Sequence, residues 1–201
     1  MKIIVYGATG MVGSQIAEAA LARGHEVTAV SRSGADVAGA TALVADIADT
    51  DAFAALAADA DAVVVAVPPD RTGGPAEPMV DAHRRLIAAR PAARLLVVGG
   101  AGSLSVGDSL LVDAPGFPDA YKREAKAFTT VLNDYRASSG LDWTLVSPSP
   151  MIAPGERTGY VLGTDSPVGD SVTTSDFADA IVDELEVPAH KGRRFTVASK
   201  A

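Results

Sequence analysis

The sequence predicts an α/β fold: a Rossmann-like, doubly wound parallel sheet with strand order 3-2-1-4-5-6 and a short C-terminal extension. Three observations predict it. Apolar runs of strand length alternate with segments of helical period along the chain. Several of those runs are unbroken rather than alternating, as strands covered on both faces require. A G-x-x-G-x-x-G string joins the first run to the first helical segment.

The run 3–6 (Ile3, Ile4, Val5, Tyr6) is the first strand. Val12, Ile16, Ala19 and Ala20 then recur at helical spacing, and Gly24 supplies a C-terminal stop. Runs 27–30 and 42–45 are the second and third strands, and 51–58 is a short helix. The unbroken run 62–67 is the fourth strand. A proline- and glycine-rich loop over 68–78 leads to a helix over 79–89 and a fifth strand over 95–98. A long glycine-containing stretch, 99–118, precedes the clearest helix of the chain. Tyr121, Ala125, Phe128, Leu132 and Tyr135 mark one face of it. The sixth strand is 143–146, and 154–172 reads as loops with a short hairpin. Ser175 is the expected N-cap of a last helix carrying Phe177, Ala178, Ile181, Val182 and Leu185, before a closing strand at 195–197. No repeat or linker divides the chain. Residues 1–201 read as one NAD(P)-binding domain, with substrate-side elements from about 148 onward.

Composition narrows the partners. A net charge of −8 argues against nucleic acid, whose backbone selects basic surfaces. The absence of cysteine excludes disulfides, thiolate nucleophiles and cysteine metal sites. His25, His83 and His190 have no metal-ligand spacing. The first apolar run is too short for a signal peptide or a membrane span, so a cytoplasmic protein without a membrane partner, monomeric or homodimeric, is expected.

The glycine string carries the chemistry. Gly7 would make the tight turn, Gly10 would let the backbone approach a pyrophosphate, and Gly13 would let helix and strand pack closely. The amides of Met11 and Val12 would then face phosphate from the helix N-terminus. About 20 residues further on, NAD-preferring folds carry an acidic residue that bonds the ribose hydroxyls. Here the second strand ends in Ser31-Arg32-Ser33, and no carboxylate follows until Asp36. Arg32 would pair with a 2′-phosphate, so NADP(H) is the expected cofactor, with NAD(H) admitted. A solvated surface arginine is the alternative.

Several segments together resemble a known family. Gly7-Ala8-Thr9-Gly10 with Ser31-Arg32 resembles the atypical short-chain dehydrogenase/reductases with an NAD(P)H-binding, NmrA-like domain. The segments at 99–104 (GGAGSL), 117–122 (FPDAYK), 141–148 (LDWTLVSP) and 154–159 (PGERTG) look like its NADH-flavin reductase group. The resemblance implies that Thr9 belongs to the cofactor turn. It implies that Asp46 and Ile47 lie by the adenine, and that Ala66, Val67 and Pro68 border the ribose and nicotinamide. Plain core packing is the alternative for the apolar ones.

Typical short-chain dehydrogenases place Tyr-x-x-x-Lys on one helix face, where the ammonium lowers the tyrosine pKa. Here Ala125 lies four residues after Tyr121, and Lys122 and Lys126 lie about 100° and 140° away around the helix. The usual dyad is broken, although an irregular helix start would still let Lys122 approach. Ser103 stands roughly where the family serine would, with a loop hydroxyl as the equal alternative. Tyr121 lies on the apolar stripe and is a candidate acid or a packed core residue. His83 is a further candidate donor, more simply a surface or satisfied histidine. Hydride transfer to a flavin or quinone mainly needs stacked rings and can dispense with the dyad. The expected function is therefore NADPH-dependent reduction of a flavin-like or quinone-like acceptor. The rivals are a non-catalytic NADP(H) sensor working through a protein partner, and a carbonyl reductase or epimerase/dehydratase with a rearranged acid.

Overall fold

The computed structural model describes residues 1–200. β1 (Lys2–Tyr6) runs into α1 (Met11–Ala22), then β2 (Glu26–Ser31) and β3 (Thr41–Val44). α2 (Thr50–Ala58), β4 (Ala62–Val65), α3 (Glu77–Ala89) and β5 (Arg94–Val98) follow. The stretch expected as a long loop is built from two 3-10 turns, Ala101–Ser103 and Leu111–Asp113, around a hairpin of β6 (Ser105–Val106) and β7 (Ser109–Leu110). The chain continues through α4 (Asp119–Ala137), β8 (Trp143–Pro148), β9 (Met151–Ala153), β10 (Tyr160–Gly163), β11 (Ser171–Thr173), α5 (Thr174–Glu186) and β12 (Arg193–Ser199).

The main sheet has eight strands in the order β10-β12-β8-β5-β4-β1-β2-β3. The six strands from β8 to β3 reproduce the order expected from sequence, because β8 is the sixth apolar run. Seven strands are parallel, and the crossovers put helices on both faces. α2, α3 and α4 cover one side with a core around Tyr6, Phe53, Leu86, Leu132 and Tyr135. α1 and α5 cover the other with Ile16, Phe177, Ile181 and Phe195. β4 is wholly buried along Ala62–Val65, which is why its run shows no polar alternation.

Two expectations need correction. Residues 154–172 form no hairpin with each other. β10 instead pairs antiparallel with β12, Tyr160 opposite Ser199 and Gly163 opposite Thr196, while β11 runs parallel to β9. A hairpin signal is local, whereas the partner of β10 lies more than thirty residues along the chain. The cap of α5 is Thr173, not Ser175: the Thr173 hydroxyl accepts from the Asp176 amide at 3.0 Å. Ser175 lies inside the first turn, buried, with its hydroxyl within reach of Gln15 Oε1 and the Gly155 carbonyl. Both hydroxyls precede the same apolar stripe, so the pattern alone does not choose between them.

Candidate cofactor and acceptor site

The turn from β1 into α1 is fixed by backbone sterics. Gly7 has a φ of 80°, and its amide donates to the Val30 carbonyl at 2.9 Å. A Cβ on Gly7 would lie 2.4 Å from the Ala66 carbonyl oxygen, and one on Gly13 would lie 2.1 Å from that of Gly7. No side chain fits at either position. Gly10 is different, since a Cβ there would meet only the Gly7 carbonyl at 3.3 Å. Its own surroundings are open, and Thr9, Gly10 and Met11 are exposed.

The first helical bond of α1 runs from the Ser14 amide to the Gly10 carbonyl at 2.9 Å. No side chain caps the helix, and no acidic residue stands in its first turn. Among the described residues, the amides of Met11, Val12 and Gly13 therefore have no acceptor. Three aligned donors at the positive end of a helix dipole, with no carboxylate beside them, suit a phosphate group. Ala66 and Val67 stand directly beside Gly7, half-buried, and Pro68 is exposed next to them.

At the end of β2, Ser31 is buried and its hydroxyl accepts from the Gly34 amide at 3.0 Å. That bond closes the loop and turns Arg32 outward. Arg32 is exposed and, among the described residues, has no ion-pair partner. Asp46 is exposed and accepts from the Ala48 amide at 2.8 Å, while Ile47 is buried in the core layer beneath α2.

The acceptor side differs from expectation. Ser103 is 3% exposed, and its hydroxyl and carbonyl both accept from Arg194 Nη1 at 2.9 Å. Arg194 also donates to Asp165, which in turn accepts from Arg136 at 2.6 Å. Ser103 is thus the buried anchor of a latch that reaches the surface at Asp165 and Arg136.

Tyr121 is 63% exposed and not part of the core stripe, which begins one turn later at Ala125. The correction has a local cause. Ala125 packs under Gly102, whereas residues 119–123 at the start of α4 are exposed. Lys122 does not reach toward Tyr121 as a dyad would; its ammonium pairs with Asp119 at 2.6 Å.

His83 is no surface residue. Burial pushes its pKa down to about 4, and its Nδ1 lies 3.2 Å from the Tyr135 hydroxyl inside the core. Arg157 pairs with Asp179 at 3.1 Å. The Thr158 and Gly159 amides both donate to Asp176 at 3.0 Å, so this segment is tied to α5.

Two features escaped the sequence reading. The 66–76 loop is clasped onto α4: Arg71 bonds both Glu124 oxygens at 3.0 and 2.6 Å, and Arg123 reaches the Gly73 and Asp70 carbonyls. Only a pairing across some fifty residues reveals it. Ser147 and Thr196 are register partners on β8 and β12, both fully buried, and neither hydroxyl has a partner among the described residues.

Comparison with known proteins fits this layout. The sequence pattern described as NAD(P)H-binding matches residues 7–188. YwnB of Bacillus subtilis (strain 168), an uncharacterised protein, is 40% identical over 214 aligned positions, with both chains covered in full. A crystal structure of SP1627 from Streptococcus pneumoniae TIGR4, provisionally named an NADH-flavin reductase, superposes with a TM-score of 0.85. It is 32% identical, and both chains are covered in full. A provisionally named epimerase from Bacteroides thetaiotaomicron superposes with a TM-score of 0.88 at 33% identity, covering 100% of this chain and 97% of the other. Among the described residues, no helix is long and apolar enough to cross a membrane.

Proposed function

The chain belongs to the NAD(P)H-binding family, and from that premise we propose that it is an NADPH-dependent reductase of a flavin-like or quinone-like acceptor. The observation that carries the reading is the bare start of α1 behind a turn that admits only glycine. Met11, Val12 and Gly13 would hold the pyrophosphate through their amides, with Gly10 allowing close approach. Arg32 would bond the 2′-phosphate. Asp46 and Ile47 would border the adenine, and Ala66, Val67 and Pro68 the nicotinamide-side ribose. When bound, the reduced nicotinamide supplies a hydride.

The chain's own contribution to a flavin or quinone acceptor is then to bring two rings face to face and exclude water between them. No proton donor is needed at such an acceptor, which agrees with the commitments of Ser103 to Arg194 and of Lys122 to Asp119. The family resemblance supports the acceptor class, as does the provisional name of the streptococcal neighbour.

Mixing the protein with NADPH and free flavin, and following the nicotinamide absorbance, tests the reading. Turnover is expected. Cofactor binding without turnover on flavins or quinones would favour the sensor. The epimerase name of the second neighbour and the exposed Tyr121 hydroxyl favour one other reading, a carbonyl reductase or epimerase with Tyr121 as its acid. That reading requires a severe defect in Tyr121→Phe.

A further inference from the structure

We propose that the Tyr6 hydroxyl is an additional cofactor contact, donating a hydrogen bond to the adenine ring. The assignment rests on the cofactor reading above. Tyr6 ends β1 beside Gly7, paired with Val30 on one side and Val65 on the other, at the mouth of the sheet's central crevice. Its ring packs against Phe53 of α2 with centroids 5.8 Å apart. It therefore lies on the face opposite α1, whose amides would hold the phosphates. The hydroxyl stands in the field of Asp49 and Asp46, the carboxylates of the turn assigned to the adenine. Burial together with these charges pushes the phenol up to about 12. It therefore stays a neutral donor at working pH.

Tyr6 is 2% exposed, yet its hydroxyl has no partner among the described residues. The neighbouring carboxylates are turned elsewhere. Asp46 accepts from the Ala48 amide, and Asp49 caps α2 by accepting from the Ala52 amide at 3.0 Å. An unmade bond on a buried donor disfavours the structure, and phenylalanine would pack the same ring without it. Adenine offers ring nitrogens that accept, the complement of a neutral phenol.

The test is Tyr6→Phe, titrated with three probes: NADPH, adenosine 2′,5′-bisphosphate, which keeps the adenine, and reduced nicotinamide mononucleotide, which lacks it. The variant should bind the first two about three- to tenfold more weakly, as one lost hydrogen bond allows. Binding of the third should not change. Its thermal midpoint without ligand should equal or exceed that of the wild type. Unaltered NADPH affinity would overturn the assignment, as would an equal loss for all three probes with a lowered midpoint, the mark of a purely structural tyrosine. If the wild type bound neither NADPH nor the bisphosphate, the cofactor reading itself would fall, and this assignment with it.

Discussion

The two halves of the crevice treat their polar groups in opposite ways. On the β1–α1 side, backbone contacts at Gly7 and Gly13 leave no freedom, and three amides are left unpaired. On the β5–α4 side, charged side chains are largely paired with neighbours: Arg194 with Ser103, Arg194 and Arg136 with Asp165, Lys122 with Asp119, Arg71 with Glu124. Donors held rigidly without partners make a site ready for one kind of ligand. Paired side chains make walls.

The sharpest way to break this comparison lies within the glycine turn. In Gly13→Ala the new methyl would press on the Gly7 carbonyl, a backbone atom that cannot yield, and overpacking of that kind costs about 3 kcal/mol. The unfolding midpoint in urea should fall, and NADPH binding should be lost. Gly10→Ala should cost far less, about 1 kcal/mol, because its methyl would meet only the Gly7 carbonyl at 3.3 Å, yet still weaken NADPH by blocking its approach. Equal effects on stability in the two variants would show that the turn does not divide into packing and binding glycines.

His83 tests whether ionisable groups outside the cofactor half are structural. Its folded pKa of about 4 lies below the ordinary 6.5, so the folded state resists protonation. The unfolded chain takes up the proton first as pH falls. Stability is therefore full above about pH 6.5 and declines toward pH 4, by about 3 kcal/mol in all. Urea midpoints across that range should show a decline that His83→Gln flattens, while turnover near neutral pH stays close to wild type. A large loss of turnover in His83→Gln at full stability would make it part of the acceptor machinery.

How much of this was legible in the sequence follows the same division. The order of the six strands from β8 to β3 was readable because the central runs are buried on both faces and so keep no polar alternation, as along Ala62–Val65. The glycine turn was readable because its spacing lies within seven residues, although the carbonyl that excludes a side chain at Gly7 belongs to Ala66. The pairing of β10 with β12 was not, since it depends on which edge is left bare after the sheet is assembled. Tyr121 continued the helical stripe by spacing, but a stripe records angle around the axis and not whether a layer lies above the turn. Ser103 read equally as the family serine or as a loop hydroxyl, because Arg194, which bonds it, lies ninety-one residues away.

Cofactor choice comes next in size. Arg32 is exposed without an ion-pair partner among the described residues, so its charge is available to a 2′-phosphate. A charge-assisted bond of that kind is worth about 1.5–3 kcal/mol, roughly 10- to 150-fold in affinity. NADPH should bind more tightly than NADH by that margin. Arg32→Ala should erase most of the difference and leave NADH nearly unchanged, since the amides of Met11, Val12 and Gly13 remain. Equal wild-type affinities, or an equal loss for both cofactors, would show that Arg32 does not read the phosphate.

The smallest expected effect bears most directly on the acceptor half. Tyr121 is exposed, Ala125 occupies the place one turn on where a lysine would stand, and Lys122 is paired with Asp119. The tyrosine–lysine pair of the usual dyad is therefore absent from α4. A flavin takes a hydride without an acid at a forming alkoxide, whereas a carbonyl does not. Tyr121→Phe should change flavin reduction by less than about threefold, under 1 kcal/mol of barrier. NADPH affinity should be unaltered. The measurement is a pair of steady-state and binding curves on wild type and variant. A fall of several hundredfold, roughly 3–4 kcal/mol, at constant NADPH affinity would mean that the phenol acts on the acceptor directly. The acceptor half would then hold a positioned proton donor, and carbonyl chemistry would replace flavin reduction.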